Sequence, residues 1–353
     1  MNADPDFELR AGADALVADF LATQAGERVL ITADGATDPA AVQAVFTACQ
    51  RAGALPMVLT IERLPFQGGL ADPYLPPELA VLGLASQVWI DLTFPYIAGA
   101  KAYADVMAAR KTRYYLGGDI ASGGLRRLYA AVDLDVQHRL NAAIDEITKA
   151  AAGETVHITC PRGTDFTFKL EKPAYAKPRR ASAPGHYLTP CSSTMFPVLE
   201  SVKGTLVFTA IFHEYFTALP EPLRITVDST VRTIDGPATH RAALDRALRR
   251  AGNGQYGHLI HFTYAVSPTA RATGASFIED SRVLGSNAVG MGLPWWIPGG
   301  GENHPDGVLS DQSIRIGDLH LVERGQVVAP QLRELAAAVV PRVPAARYGT
   351  RAP

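Results

Sequence analysis

Arg28-Val29-Leu30-Ile31-Thr32 is followed, after Ala33-Asp34-Gly35-Ala36-Thr37, by Asp38-Pro39-Ala40-Ala41-Val42-Gln43-Ala44-Val45-Phe46-Thr47-Ala48-Cys49-Gln50-Arg51-Ala52-Gly53. The first five residues read as a short apolar strand. The second stretch reads as a helix. Pro39 suits its first turn, where a missing N–H costs nothing. Ala41, Val45, Ala48 and Cys49 fall on one face, and Gly53 supplies the stop. The same alternation continues through 150. Pro56–Ile61, Gln87–Leu92 and Thr112–Leu116 read as further strands, with helices near 77–85 and 98–110. Strands alternating with helices at this spacing predict a parallel sheet covered on both faces. No G-x-G-x-x-G follows the first strand, so a dinucleotide site is not indicated. A scaffold or subunit-contact role fits this part better.

A helix over 134–152 carries an apolar stripe of Val136, Leu140, Ile144, Ile147 and Ala151, and Gly153 ends it. Beyond it the period changes from helical to two. Thr155–Cys160 and Thr164–Leu170 flank Pro161-Arg162-Gly163, which predicts a hairpin. The boundary is therefore placed at Gly153: an α/β scaffold domain over 1–153, and a β-rich catalytic, metal-binding domain over 154–353. Further strands are expected at Thr205–Phe212, Leu223–Val227 and His258–Val266, and a helix at His240–Leu248. The fold class is thus α/β, with a parallel-sheet domain followed by a mostly β (α+β) one. Residues 172–185 read as an exposed basic loop, 185–193 as a polar irregular run, and the tail from about 340 as fraying.

The chain of 353 residues is 47% hydrophobic and 19% charged, with a formal net charge of -2. This is a globular balance that asks for neither nucleic acid nor an anionic membrane. Cys49, Cys160 and Cys191 are scattered and form neither a disulfide framework nor a Cys-x-x-Cys knuckle. That usage fits a reducing cytoplasm. The N-terminus lacks a signal pattern, and no apolar run approaches the roughly 20 residues of a membrane span. A cytoplasmic homo-oligomer is expected.

The residues that carry chemistry lie between His258 and Asp306. His304-Pro305-Asp306 sets two ligand types two apart, and in an extended chain such positions point to one side. With His261 as third ligand they make a two-His-one-carboxylate set, suited to non-haem Fe(II) with open positions. A His-Pro-Asp triplet in a Gly-rich stretch is equally the composition of a turn. Three ligands plus water is also a catalytic zinc set. His258, three residues before His261, faces the other side by strand parity and reads as structural. His186 is a candidate acid, base or hydrogen-bond donor, and His213 a candidate pocket residue or a surface strand end. Glu279 and Asp280 read as partners orienting a ligand histidine, or as solvent-facing turn charges. Trp295 and Trp296 read as an aromatic wall, or as core.

Gly163–Phe168, Glu200–Val207, His261–Pro268, Ile278–Gly292 and His304–Gly307 occur in the order seen in the thermophilic metallo-aminopeptidase family, which the chain resembles over nearly its whole length. Those peptidases hold two metals with five ligands. Their final His-x-Asp falls on His304 and Asp306, and their strand Glu falls on His261. Their His of the Gly-Thr-x-His segment falls on Ala288, and their earlier Glu near Ser192 or Ser193. Two ligands are therefore absent and one has changed. The remaining set resembles that of the 2,5-dihydroxypyridine 5,6-dioxygenases, a ring-cleaving branch related to those peptidases. This resemblance implies one Fe(2+) on His261, His304 and Asp306. It implies a small aromatic substrate and O2, and extradiol-type opening of 2,5-dihydroxypyridine to N-formylmaleamate. His186 with Ser192 or Ser193 would handle the polar ring substituents. A metallo-aminopeptidase-like hydrolase is the alternative.

Overall fold

The computed structural model describes residues 5–172, 180–294, 297 and 303–340. Trp295, Trp296, the glycine run at 299–301, most of the basic loop and the tail beyond 340 lie outside the described residues. The N-terminal part follows the predicted alternation. After α1 (Pro5–Asp14) come β1 (Arg28–Asp34), α2 (Pro39–Arg51), β2 (Leu55–Ile61), α3 (Glu78–Ala85), β3 (Val88–Asp91), α4 (Lys101–Ala108), β4 (Arg113–Leu116), α5 (Ser122–Leu125) and α6 (Leu134–Ala150). Asp38 caps α2 by accepting from the Ala40 N–H at 2.9 Å, ahead of Pro39. Ala41, Val45, Ala48 and Cys49 are its buried face, as the period requires. Val29, Leu30 and Ile31 are all fully buried, because both faces of a parallel sheet are covered by helices.

The second part contributes β5 (Thr155–Thr159), β6 (Asp165–Lys169), β7 (Gly185–Leu188), β8 (Ser192–Met195), β9 (Lys203–Phe212), β10 (Phe216–Asp228), β11 (Thr230–Asp235), α7 (Ala238–Ala251), β12 (His258–Ala265), α8 (Phe277–Asp280), β13 (Asn287–Gly292), β14 (Asp306–Leu309), β15 (Ser313–Ile316), β16 (Leu319–Glu323) and β17 (Gln326–Val327). The hairpin of β5 and β6 is as predicted, with Gly163 at φ 100° in its turn, a conformation that favours glycine.

Two sheets result. The parallel sheet has the order β2-β1-β3-β4-β7. Its last strand comes from beyond Gly153: Gly185–Leu188 crosses back and pairs with β4, Tyr114 opposite His186. The polar run at 185–193 is thus two short strands rather than irregular chain. In the larger sheet β10-β11-β12-β13-β14-β9 run side by side, and β9 pairs back to β10. The six strands close on themselves. Phe262 packs with Phe166 and Phe168 at ring distances of 5.1 and 4.5 Å on one face of this layer. Phe212 packs on the opposite face, against Phe94 from the loop after β3 at 4.7 Å. That second face meets the parallel-sheet unit.

Polar clamps fix the meeting. The Asp119 carboxylate accepts from the Phe277 and Ile278 N–H groups at 2.7 and 2.9 Å and from Ser276 Oγ at 3.0 Å, holding the start of α8. Glu279, 2% exposed, takes a bidentate pair from Arg127 at 2.5 and 2.7 Å and also the Arg271 N–H. Asp280 accepts from Thr273 and Gly274. Glu279 therefore ties the two units together, while Asp280 holds the loop before α8 within its own unit; both are buried rather than solvent-facing turn charges. No helix among the described residues is long and apolar enough to cross a membrane.

Candidate metal centre

Pairing register builds the centre. Across β12, β13 and β14, His261 lies opposite Gly290 and Gly290 opposite Asp306; the next strand places Phe212 opposite Asp306. Residues directly opposite share a face. His261 and Asp306 thus stand two strands apart, roughly 10 Å at the backbone by ordinary strand spacing. Gly290 between them leaves the space above the sheet empty. A Cβ at that position would sit 2.2 Å from His261 Nε2 and 2.4 Å from its Cδ2. The imidazole occupies the room that the missing side chain provides.

Three ligand atoms converge there. His261 Nε2 and His304 Nε2 are 3.1 Å apart, His261 Nε2 is 3.5 Å from Asp306 Oδ1, and His304 Nε2 is 3.6 Å from Asp306 Oδ2. Asp306 is 3% exposed, and its Oδ1 accepts no hydrogen bond. Burial pushes its carboxyl up to about 6, against the opposing charges of His304 and Arg282. A buried carboxylate oxygen without a donor, facing two imidazole nitrogens, is the donor set of a divalent cation rather than of a hydrogen-bond network. The three residues fit a metal.

Further contacts set the ligands. Thr263, two residues along β12 on the same face, places Oγ1 3.3 Å from His261 Nδ1, and Thr194 of β8 meets Thr263 Oγ1 at 3.0 Å. This arrangement engages Nδ1 and leaves Nε2 facing His304 and Asp306. Gln67, buried on the loop after β2, donates from Nε2 to the His304 carbonyl at 3.2 Å. The parallel-sheet unit thereby grips a residue of the three-residue cluster in the other unit. Tyr96 approaches from the loop after β3: its ring lies 5.6 Å from that of Phe212, the neighbour of Asp306 in the row. Burial, then the charges of Asp306 and Asp119, hold its phenol well above the ordinary range.

The other expected residues sit elsewhere. His186 lies in β7 in register with Tyr114, and its Nδ1 meets Tyr103 Oη at 2.6 Å on the α4 side. It is not one of the three residues brought together. Ser193 Oγ is held by Asn141 of α6, which also donates to the Ser192 carbonyl. The β8 side chain linked to His261 is Thr194 instead. His213 is bound to Glu214 at 2.6 Å, and Glu214 is paired with Arg246 and Arg250. Burial lowers His213, its largest influence, with Glu214 opposing.

His258 needs a correction of reasoning. Strand parity puts it opposite in sense to His261, yet β12 shifts register between Leu259 and His261. His258 and His261 lie opposite Gly292 and Gly290, which are two apart and share a face. What keeps His258 from the centre is its position along the strand and its Nδ1 contact with the Ser229 carbonyl at 3.0 Å. Thr263 was readable in the sequence as a same-face neighbour of His261. Gly290, Gln67 and Tyr96 had no local signal.

Comparison with known proteins gives a consistent picture. A family model for 2,5-dihydroxypyridine 5,6-dioxygenase matches residues 18–292. The match includes His261 and stops short of His304 and Asp306. Among solved structures, a 2,5-dihydroxypyridine dioxygenase from Pseudomonas putida KT2440 superposes with a TM-score of 0.70 at 18% identity, covering 93% of this chain and 99% of that one. AmpT from Thermus thermophilus gives a TM-score of 0.61 at 14% identity, covering 92% and 99%. At these identities the two likenesses establish the fold. No curated protein matches the sequence.

Proposed function

The chain belongs to the 2,5-dihydroxypyridine 5,6-dioxygenase family, which makes it a ring-cleaving dioxygenase, and from that premise we propose that it holds one Fe(II) on His261, His304 and Asp306 and opens a hydroxylated N-heteroaromatic ring in the extradiol manner. The substrate in this reading is 2,5-dihydroxypyridine, opened between carbons 5 and 6 to N-formylmaleamate, with both atoms of O2 retained in the product.

One observation carries the reading: two imidazole nitrogens and one carboxylate oxygen without a hydrogen-bond donor converge, and no second such group occurs among the described residues. Ala288, where the related peptidases hold a histidine, is a buried strand residue paired with Thr263 and Val308. A dinuclear hydrolase would need a ligand that alanine cannot be. Iron(II) held by these three residues would relay electrons from the ring, which is the reductant, to O2, and would supply the Lewis acidity for a ring hydroxyl.

The chain's own residues do the rest. Thr263 fixes the tautomer and tilt of His261 through Nδ1. Phe94, Phe212 and Phe277, with ring distances of 4.7 and 4.9 Å about Phe212, form an apolar wall that keeps water from one side of the site. Tyr96 keeps its proton at neutral pH and serves as a hydrogen-bond donor to an oxygen of the bound ring. Tyr96 joins His186, Ser192 and Ser193, the residues expected from the sequence to handle the polar ring substituents; of these, Ser192 shares the face of Thr194 and Thr263.

The test is metal content together with oxygen uptake. Anaerobically purified protein is expected to carry about one iron per chain, by its ligand set. It should consume O2 as the aromatic absorbance of 2,5-dihydroxypyridine disappears. Two zinc or cobalt ions per chain with aminopeptidase turnover would overturn the assignment. Full iron occupancy without oxygen uptake on any hydroxylated pyridine would do the same.

A further inference from the structure

In the parallel sheet, with its order β2-β1-β3-β4-β7, the chain leaves β1 toward β2 and then returns across it to β3. The connections after β1 and β3 therefore depart in opposite directions. They part at the carboxyl ends of the two strands, and in open sheets of this kind that crevice is where ligands bind. A cavity of about 240 Å³ lies there. Asp34, the last residue of β1, and Leu92, the first after β3, both line it. Phe216 and Ala275 of the larger-sheet unit close it from across the interface. An apolar cavity of roughly 150 Å³ holds benzene, so this one has room for a six-membered ring with a substituent.

The cavity is separate from the metal centre. His261, His304 and Asp306 are not among its lining residues. Phe94 is the shared wall: it lines the cavity and packs at 4.7 Å on Phe212, the neighbour of Asp306 in the row. Leu92, Phe94 and Phe216 make the cavity surface largely apolar. Its two carboxylates are turned to their own backbone. Asp34 accepts from the Ala36, Thr37 and Phe94 N–H groups at 2.7, 3.1 and 3.0 Å, and Asp119 from the start of α8. Arg63, from the loop after β2, is the cation of the lining, and it is exposed, so the cavity is reached from solvent at that end. Its Nε donates to the Phe94 carbonyl at 3.2 Å, and its guanidinium carbon lies 5.0 Å from the centre of the Tyr215 ring. Those contacts hold the group in place from both units, and the bond to Phe94 uses one of its five donors.

We propose that this cavity is a second ligand site, and that it takes a small ring bearing a carboxylate, the ring against Phe94 and Phe216 and the carboxylate on Arg63. An apolar crevice between units with one placed polar group is the usual form of a small-molecule site. A guanidinium presents a planar fork of donors that suits a carboxylate.

The experiment is anaerobic calorimetry on the iron-loaded protein. The probes are benzoate and its neutral isostere benzamide, for wild type, Arg63→Gln and Ala275→Phe. Wild type should bind one benzoate per chain and bind benzamide about tenfold or more weakly, the range of a charge-assisted bond. Arg63→Gln should bring the two affinities together. Ala275→Phe, a change at an exposed loop residue whose new ring takes the space of the cavity, should abolish both. Saturating 2,5-dihydroxypyridine should leave benzoate binding in place. Equal affinity for the two probes in wild type, or no binding of benzoate, overturns the proposal, and neither outcome needs a variant to fold. Displacement of benzoate by 2,5-dihydroxypyridine also overturns it, since the probe then sits at the metal centre. Oxygen uptake with 2,5-dihydroxypyridine, expected near the wild-type rate in both variants, is read alongside. Its absence in wild type removes the ring-cleavage reading and leaves the cavity to be judged by the ratio of benzoate to benzamide affinity.

Discussion

Gly290→Ala tests the geometry of the centre most directly. Gly290 is not in the left-handed region of backbone space, so alanine meets no conformational objection there. The objection is room. The new Cβ would lie 2.2 Å from His261 Nε2, 2.4 Å from Cδ2 and 3.0 Å from Cε1. The first contact is about 1.3 Å inside the ~3.5 Å lower bound of a favourable non-bonded contact. The sheet cannot give that much, because Gly290 is paired on both sides, with His261 and Asp306. The imidazole must swing away, and its side chain, 15% exposed, has an outlet. The expected stability cost is therefore that of a modest overpacking, about 1–3 kcal/mol. The metal should suffer far more, since one of three ligands leaves. Loss of an orienting partner alone costs 10- to 100-fold in metal affinity, so a displaced ligand should cost at least about 100-fold. The assay is competitive metal titration with a chromophoric chelator, beside urea unfolding of the metal-free protein. Near-native metal affinity in a folded Gly290→Ala protein would refute the claim that an empty residue between two strands makes the site.

Three further outcomes follow from the same contacts. Thr263→Val, which removes the oxygen 3.3 Å from His261 Nδ1, should weaken metal binding by about 10- to 100-fold with little loss of stability; an unchanged titration curve would show that Thr263 does not orient the ring. Tyr96→Phe should keep the metal content and lose at least about tenfold in kcat/KM for ring opening, the lower end of what a positioned proton donor contributes; wild-type oxygen uptake would remove Tyr96 from the site. Asp119, whose carboxyl burial lifts from 3.8 to about 6, ionises first in the unfolded chain, so its stabilising contribution is fully present below about pH 4 and falls as pH rises to about 6, by at most about 3 kcal/mol. Asp119→Asn has no such titration, so the stability difference between wild type and variant should move toward the variant over that interval in urea titrations. A pH-independent difference would mean that the three donors at α8 keep the carboxylate ionised throughout.

Much of the architecture was local enough to read from the chain. The run at 28–32 and the Pro39-to-Gly53 segment carry their own period, cap and stop, and so do the hairpin around Gly163 and the stripe of α6. The His304 and Asp306 pair is also local: two residues on one extended segment share a side whatever surrounds them. The absence of a ligand at Ala288 needed no coordinates either. Other features depend on residues far apart in sequence that only folding brings into register. The return of Gly185–Leu188 to the parallel sheet is one, since a four-residue polar strand has no pattern that names its partner. The irregularity between Leu259 and His261 is another: it overturns the parity argument for His258 by inserting a residue that no periodicity reveals. Gly290 acquires its meaning only because the pairing sets it between His261 and Asp306. Gln67 and Tyr96 come to the site from other elements because Asp119 and Arg127 clamp the two units face to face. The sequence determined which elements form and which residues can bind a metal, because periodicity and ligand chemistry are encoded within a few residues. Tertiary structure decided which of those residues meet and what stands around them, because register and docking are set by long-range packing that no short window contains.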